Sequence, residues 1–101
     1  MLLFLFGPDS YRSRAHLKKI IEKFKHDRDQ QGLNVARLDC EKEEPGKIME
    51  QILTTPFLAE RRLVVLENLL ASKHHELMAE LLGRIKEESL PDSTVLVFWE
   101  A

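Results

Sequence analysis

The sequence predicts an α/β protein: a parallel sheet with helices on both faces. Three observations carry that prediction. Short apolar runs alternate with longer stretches of helical periodicity, in the order β-α-β-α-β-α-β. The spacing between runs is long enough for a helical crossover, which parallel strands require and hairpins do not. Finally, 44% hydrophobic residues in a 101-residue chain can fill one core without cross-links, and the lone Cys40 excludes an internal disulfide.

Taken in order, residues 2–6 are a continuous apolar run stopped by Gly7, Pro8 and Asp9, which predicts a strand buried on both faces. Asp9 or Ser10 then caps an amphipathic helix over residues 10–30. Leu17, Ile20, Ile21 and Phe24 form its apolar stripe, with Arg14, Lys18, Glu22, Lys25 and Asp29 on the charged side. Gly32 supplies a left-handed stop. Residues 33–38 alternate apolar and polar, as an edge strand with one solvated face would. Pro45 opens a second helix, with Glu43 and Glu44 near its positive end and Ile48, Met49, Ile52 and Leu53 as its stripe. Thr54-Thr55-Pro56 ends it, because a residue before proline leaves the helical region. Residues 63–66 read as a central strand. Ser72 is a cap for a third helix, with Leu77, Met78, Leu81, Leu82 and Ile85 on one face and a stop near Ser89-Leu90-Pro91. Residues 94–99 form the last strand, and residues 1–101 are expected to make one domain. A chain that stops just after an apolar strand reads as a fragment of a longer protein.

Charge and targeting signals narrow the function. Fifteen Lys/Arg against seventeen Asp/Glu give a formal charge of −2, so the chain as a whole does not attract nucleic acid. The apolar start is too short for a secretion signal or a membrane span. Together with the single cysteine it points to a reducing cytoplasm. Ligand sites of parallel sheets lie beyond the carboxyl ends of the strands, so the turn GPDSYRSR deserves the first look. A phosphate loop needs several glycines, a Lys and a following Ser or Thr, and only Gly7 is present. The strand LVVLEN offers Glu67 alone where an ATPase would carry an Asp-Glu pair. The predicted cofactor is therefore none.

Nor do the histidines suggest a metal. His74 and His75 are adjacent on a helix and diverge, and His16 and His26 lack a partnering acidic pattern. The Cys40 thiol sits between Asp39 and Glu41, whose charges raise its pKa, so no catalytic or metal site is assigned. The unusual segment is Thr54-Thr55-Pro56-Phe57-Leu58-Ala59-Glu60-Arg61-Arg62. It places a large apolar pair, Phe57 and Leu58, between a finished helix and a central strand. Two readings stand side by side: a plug at the end of the sheet, or an exposed anchor for a partner's pocket.

The runs FLFGPDSYRSRAHLKKII, NVARLDCE, TTPFLAERRLVVLENL and STVLVFWE, in that order and spacing, resemble the amino-terminal domain of the DNA polymerase III delta subunit, from the bacterial clamp loader. The resemblance spans nearly the whole chain. It implies a degenerate P-loop, AAA+-type core without nucleotide, truncated before a fifth strand that would pair beside the first. It implies binding to the ring-shaped sliding clamp (beta) and help in opening it for loading onto primed DNA. Catalysis would lie elsewhere in the DNA polymerase III holoenzyme, a DNA-directed DNA polymerase. Other clamp-loader subunits would be met through carboxy-terminal domains, DNA only through the assembled complex, and no membrane. The family's clamp-contacting pair falls on Phe57 and Leu58. A register one residue earlier would take in Pro56, and Arg61 closes the element. The alternatives are a fragment of a divergent P-loop ATPase or kinase, or an α/β adaptor unrelated to replication.

Overall fold

Strands and helices alternate through the chain: β1 (Leu2–Leu5), α1 (Ser10–Arg28), β2 (Val35–Asp39), α2 (Pro45–Leu53), β3 (Arg62–Glu67), α3 (His75–Lys86) and β4 (Thr94–Trp99). This is a computed structural model in which residues 2–5 and 10–100 are described. All strand pairs are parallel, and the sheet order is β1-β4-β3-β2. The register sets Leu63 beside Val35 on one side and Val95 on the other, and Leu2 beside Leu96.

That order dictates the layers. The step from β1 to β2 crosses the whole sheet in one direction, while β2 to β3 to β4 returns in the other. Right-handed crossovers therefore place α1 on one face and α2 with α3 on the opposite face. The buried side chains obey this arrangement. Leu17 and Ile21 of α1 pack with Leu63, Val65, Val97 and Trp99. Ile48, Met49 and Ile52 of α2 and Leu77 and Leu81 of α3 pack with Val64, Leu66, Leu96 and Phe98. Strand β3 thus sends alternate side chains to two cores and is buried along nearly its whole length, which is why it reads as an unbroken apolar run. Trp99 fastens α1 to β4: its indole N–H donates to Ser13 Oγ at 3.1 Å, and the Arg14 guanidinium lies 4.4 Å from the ring centroid.

Several sequence-based expectations need correction. The first strand needs none: it lies at an edge of the sheet, as the resemblance implies for a core that lacks the strand beside it. Gly32 does adopt the left-handed conformation, φ 72°, but α1 ends at Arg28, and Asp29 is buried rather than on the charged face. Strand β2 begins at Val35 because the Asp29 carboxylate takes the N–H groups of Leu33 and Asn34 before the ladder starts. This inverts the expected alternation: Leu33 is exposed and Asn34 buried. Ser72 does not cap α3. The helix starts three residues later, and the Ser72 hydroxyl turns back to the Leu69 carbonyl. Leu82, placed on the apolar stripe, is exposed, and α3 stops at Lys86, ahead of Ser89. The turn Gly7-Pro8-Asp9 lies outside the described residues.

Candidate functional site

The segment between α2 and β3 leaves the core at Thr54 and re-enters it at Arg62. Thr54 is extended, and its hydroxyl donates to the Glu50 carbonyl at 2.7 Å, closing the last turn of α2. At the far end the Arg61 guanidinium donates to the Asp92 carbonyl at 2.9 Å, and the Arg62 N–H to the Ser93 carbonyl at 2.8 Å. Between these ties stand the two apolar side chains. Phe57 is 59% exposed and Leu58 89% exposed, while Pro56 is half-buried. Leu58 also holds φ at 52°, in the left-handed region. Of the described non-glycine residues with positive φ, the others are Asn68, Lys73 and Glu88, so Leu58 alone is apolar. A branched aliphatic residue there carries backbone strain of order 1–2 kcal/mol, which persists only where the surroundings hold it.

The restraint comes from two residues that the sequence pattern did not single out. Asn34 Oδ1 accepts the Phe57 N–H at 2.6 Å, and Asn34 Nδ2 donates to the Phe57 carbonyl at 2.9 Å, so one side-chain amide pairs with both polar groups of one backbone residue. Asn34 is itself immobilised. Its N–H donates to Asp29 Oδ2 at 2.8 Å, its carbonyl accepts the Leu63 N–H at 2.8 Å, and its Nδ2 lies 3.4 Å from Asp29 Oδ1. Asp29 and Asn34 are 6% and 3% exposed, so each is a buried polar group whose partners are supplied inside the fold. One signal for them was present in the sequence: Asp29 at a helix end, separated by two glutamines from Gly32-Leu33-Asn34, the composition of a side-chain-closed turn.

This loop sits at the amino ends of β2, β3 and β4, whereas a ligand of a parallel sheet is expected at the carboxyl ends. Among the described residues, the side chains at the carboxyl ends of β2 and β3 make internal contacts. Glu67 is bound by Arg37 through two contacts, Nε to Oε2 at 3.3 Å and Nη2 to Oε1 at 3.2 Å. His74 Nε2 lies 3.0 Å from the Cys40 carbonyl and 3.2 Å from that of Glu43, so it serves as a donor stitching the β2–α2 connection to the start of α3. Burial above all, and then the charges of Glu100, Asp39, Glu67 and Glu43, push the Cys40 thiol up to about 12, a value that keeps it protonated. Among the described residues no group of three or more His, Cys, Asp or Glu is placed to hold a metal ion, and no helix is long and apolar enough to cross a membrane.

The architecture defines a class first: a parallel α/β sheet of order β1-β4-β3-β2 with its exposed apolar pair on a restrained loop at the amino ends of the strands. The family profile of the DNA polymerase III delta subunit matches residues 3–100, and the chain belongs to that family, which works in DNA replication as part of the clamp loader. In fold the chain is similar to the Bacillus subtilis DNA clamp loader delta protein, with a TM-score of 0.71 at 22% sequence identity over 98% of this chain. It spans 30% of that protein's chain. No curated protein matches the sequence.

Proposed function

We propose that this domain docks on the sliding clamp through Phe57 and Leu58, helps to open the ring for loading onto primed DNA, and neither binds nor hydrolyses ATP. The observation that carries the reading is the exposed pair itself. Two large apolar side chains stand next to each other in solvent, on a loop tied at both ends and in the middle. A plug at the end of the sheet would bury them. Adjacent aliphatic and aromatic anchors on a pre-ordered segment are what dominates interface energy when they fill a pocket. The half-buried Pro56 supports the register Phe57–Leu58 over Pro56–Phe57, and the bond from Arg61 to Asp92 supports a role for Arg61 in holding the loop.

The engagement of Glu67 by Arg37 supports the nucleotide-free half of the reading, because a carboxylate held by a guanidinium is a poor partner for magnesium. DNA would enter through the assembled loader in the cytoplasm, with the other subunits and the remainder of a longer protein supplying the contacts. Surface plasmon resonance against an immobilised bacterial sliding clamp tests the docking. Phe57→Ala and Leu58→Ala should each weaken binding by about one to two decades, the equivalent of roughly 1.5–3 kcal/mol for a buried apolar side chain. Unchanged affinity in both variants overturns the assignment. Titration calorimetry with ATP and magnesium should show no heat of binding. Saturable micromolar binding would favour the divergent ATPase instead.

A further inference from the structure

We infer that Asn34, oriented by Asp29, is a positioning residue that pre-orders the Phe57–Leu58 loop for its partner. The inference rests on the proposed clamp-docking role of that pair and adds the device that sets its geometry. A side-chain amide can be turned either way, and the two orientations present opposite groups to a neighbour. Here Asp29 settles the choice. Its carboxylate can only accept, so the Asn34 Nδ2 group faces Asp29 Oδ1 and the Phe57 carbonyl, which leaves Oδ1 for the Phe57 N–H. With the amide reversed, an N–H would face the Phe57 N–H and a carbonyl oxygen would face both a carbonyl and a carboxylate. The backbone of Asn34 is meanwhile fixed by Asp29 and by Leu63 of β3, so the sheet edge itself holds Phe57 in place. Leu58 follows directly, in its left-handed conformation and with its side chain in solvent. Removing the Asn34 amide frees the residue before a strained one, and the segment then relaxes into many conformations of which few present the pair to a pocket.

The expected kinetic signature is specific. A partner that binds one conformation of the loop sees an affinity reduced by the fraction populated, and that fraction enters the association rate. Asn34→Ala should therefore lower the association rate with the sliding clamp about tenfold, equivalent to about 1.4 kcal/mol, and leave the dissociation rate close to that of the unmodified chain. Leu58→Ala, which removes contact area, should instead raise the dissociation rate. Leu77→Val, a core change at the start of α3 near the opposite end of the sheet, is the control for general loss of stability and should leave both rates unchanged. Hydrogen exchange on the unmodified chain gives a reading that needs no variant to fold. The Phe57 amide should exchange more slowly than that of Leu58, whose N–H has no acceptor among the described residues. The outcomes separate cleanly. If Phe57→Ala and Leu58→Ala weaken binding but Asn34→Ala does not, or acts through the dissociation rate, the positioning role is wrong and the docking site stands. If neither truncation weakens binding, the docking site is wrong and the inference falls with it. A Phe57 amide exchanging as fast as that of Leu58 overturns the positioning role by itself.

Discussion

Replacing Leu58 by glycine should make the protein more stable and a worse ligand for the clamp. With 89% of Leu58 exposed, only about a tenth of it is covered by the fold. Full burial of a leucine side chain is worth roughly 1.5–3 kcal/mol, so removing it costs at most about 0.3 kcal/mol of folding energy. Against that stands the left-handed backbone at φ 52°, which costs a non-glycine residue of order 1–2 kcal/mol and glycine almost nothing. Glycine also loosens the unfolded chain, which takes back about 0.5–1 kcal/mol. The balance is a gain of about 0.5 kcal/mol, or roughly 2–4 °C in melting temperature for a domain of this size. Leu58→Ala keeps the strain and loses only the side chain, so its melting temperature should stay near that of the parent. Thermal unfolding of the three proteins followed by circular dichroism, with clamp affinity measured on the same samples, reads both quantities. A Leu58→Gly variant that melts several degrees below the parent would show that the side chain is packed and the backbone unstrained, and the argument for an exposed anchor would fail.

Three further outcomes follow from the same geometry. Phe57 is 59% exposed, so Phe57→Ala should cost about 1–2 kcal/mol rather than the roughly 3–5 kcal/mol of a fully buried phenylalanine, read as a shift in the urea midpoint. Arg62 is 6% exposed and bonds Gln51 through Nη2, while its Nε has no partner among the described residues, and burial lowers its pKa. Replacing such a cation with an apolar side chain of similar length removes its desolvation cost, so Arg62→Met should raise stability by about 1 kcal/mol in urea denaturation; a clear loss would show that the guanidinium is better satisfied than its neighbours indicate. Burial, and the charge of Glu41, raise the Glu100 pKa despite the N–H of Leu70 donating to it at 2.6 Å. A carboxyl whose pKa is higher in the folded state binds more protons there, so its contribution favours folding below the ordinary carboxylate range and is lost as pH rises through the raised value. Glu100→Gln keeps the acceptor for Leu70, and should melt higher than the parent at pH 7, with the difference vanishing in acid; a difference that persists unchanged at pH 3 would contradict the linkage.

Periodicity carried the architecture into view because burial on two faces leaves a plain mark on a strand. Leu63 to Leu66 could be read as central from four apolar neighbours, and the structure buries all of them. The same reasoning misplaced Leu33 and Asn34, since alternation assumes that a strand's own ladder decides which side chains face inward. Here a carboxylate six residues before the strand takes two backbone N–H groups first, so the polar Asn34 turns in and Leu33 turns out. Ser72 misled for a related reason. A hydroxyl before an apolar run suits an N-cap, but its nearest acceptor was the Leu69 carbonyl behind it. As for the site, composition marked Phe57 and Leu58 as unusual without deciding between plug and anchor, because hydrophobicity does not distinguish a side chain that fills a core from one that fills a partner. Their exposure speaks against the plug, and it was not encoded in those residues but in what holds their backbone.

The placement of that holding device separates two demands that a shared site would set against each other. A parallel sheet has a ready ligand position at the carboxyl ends of its strands, and in this chain the ends of β2 and β3 are spent on internal order: Arg37 on Glu67, and His74 on the carbonyls of Cys40 and Glu43. The apolar residue held in the left-handed region lies instead on the amino-end loop, where Leu58 follows Phe57, whose backbone N–H and carbonyl both pair with the Asn34 side chain. A loop held only at its ends would relax at Leu58 by rotating out of the left-handed region. Fixing Phe57 blocks that rotation from one side, and the bond from Arg61 to Asp92 limits it from the other. The buried pair Asp29 and Asn34 therefore looks expendable from the standpoint of the core, yet it is what allows an exposed leucine to keep a conformation that it would not choose alone.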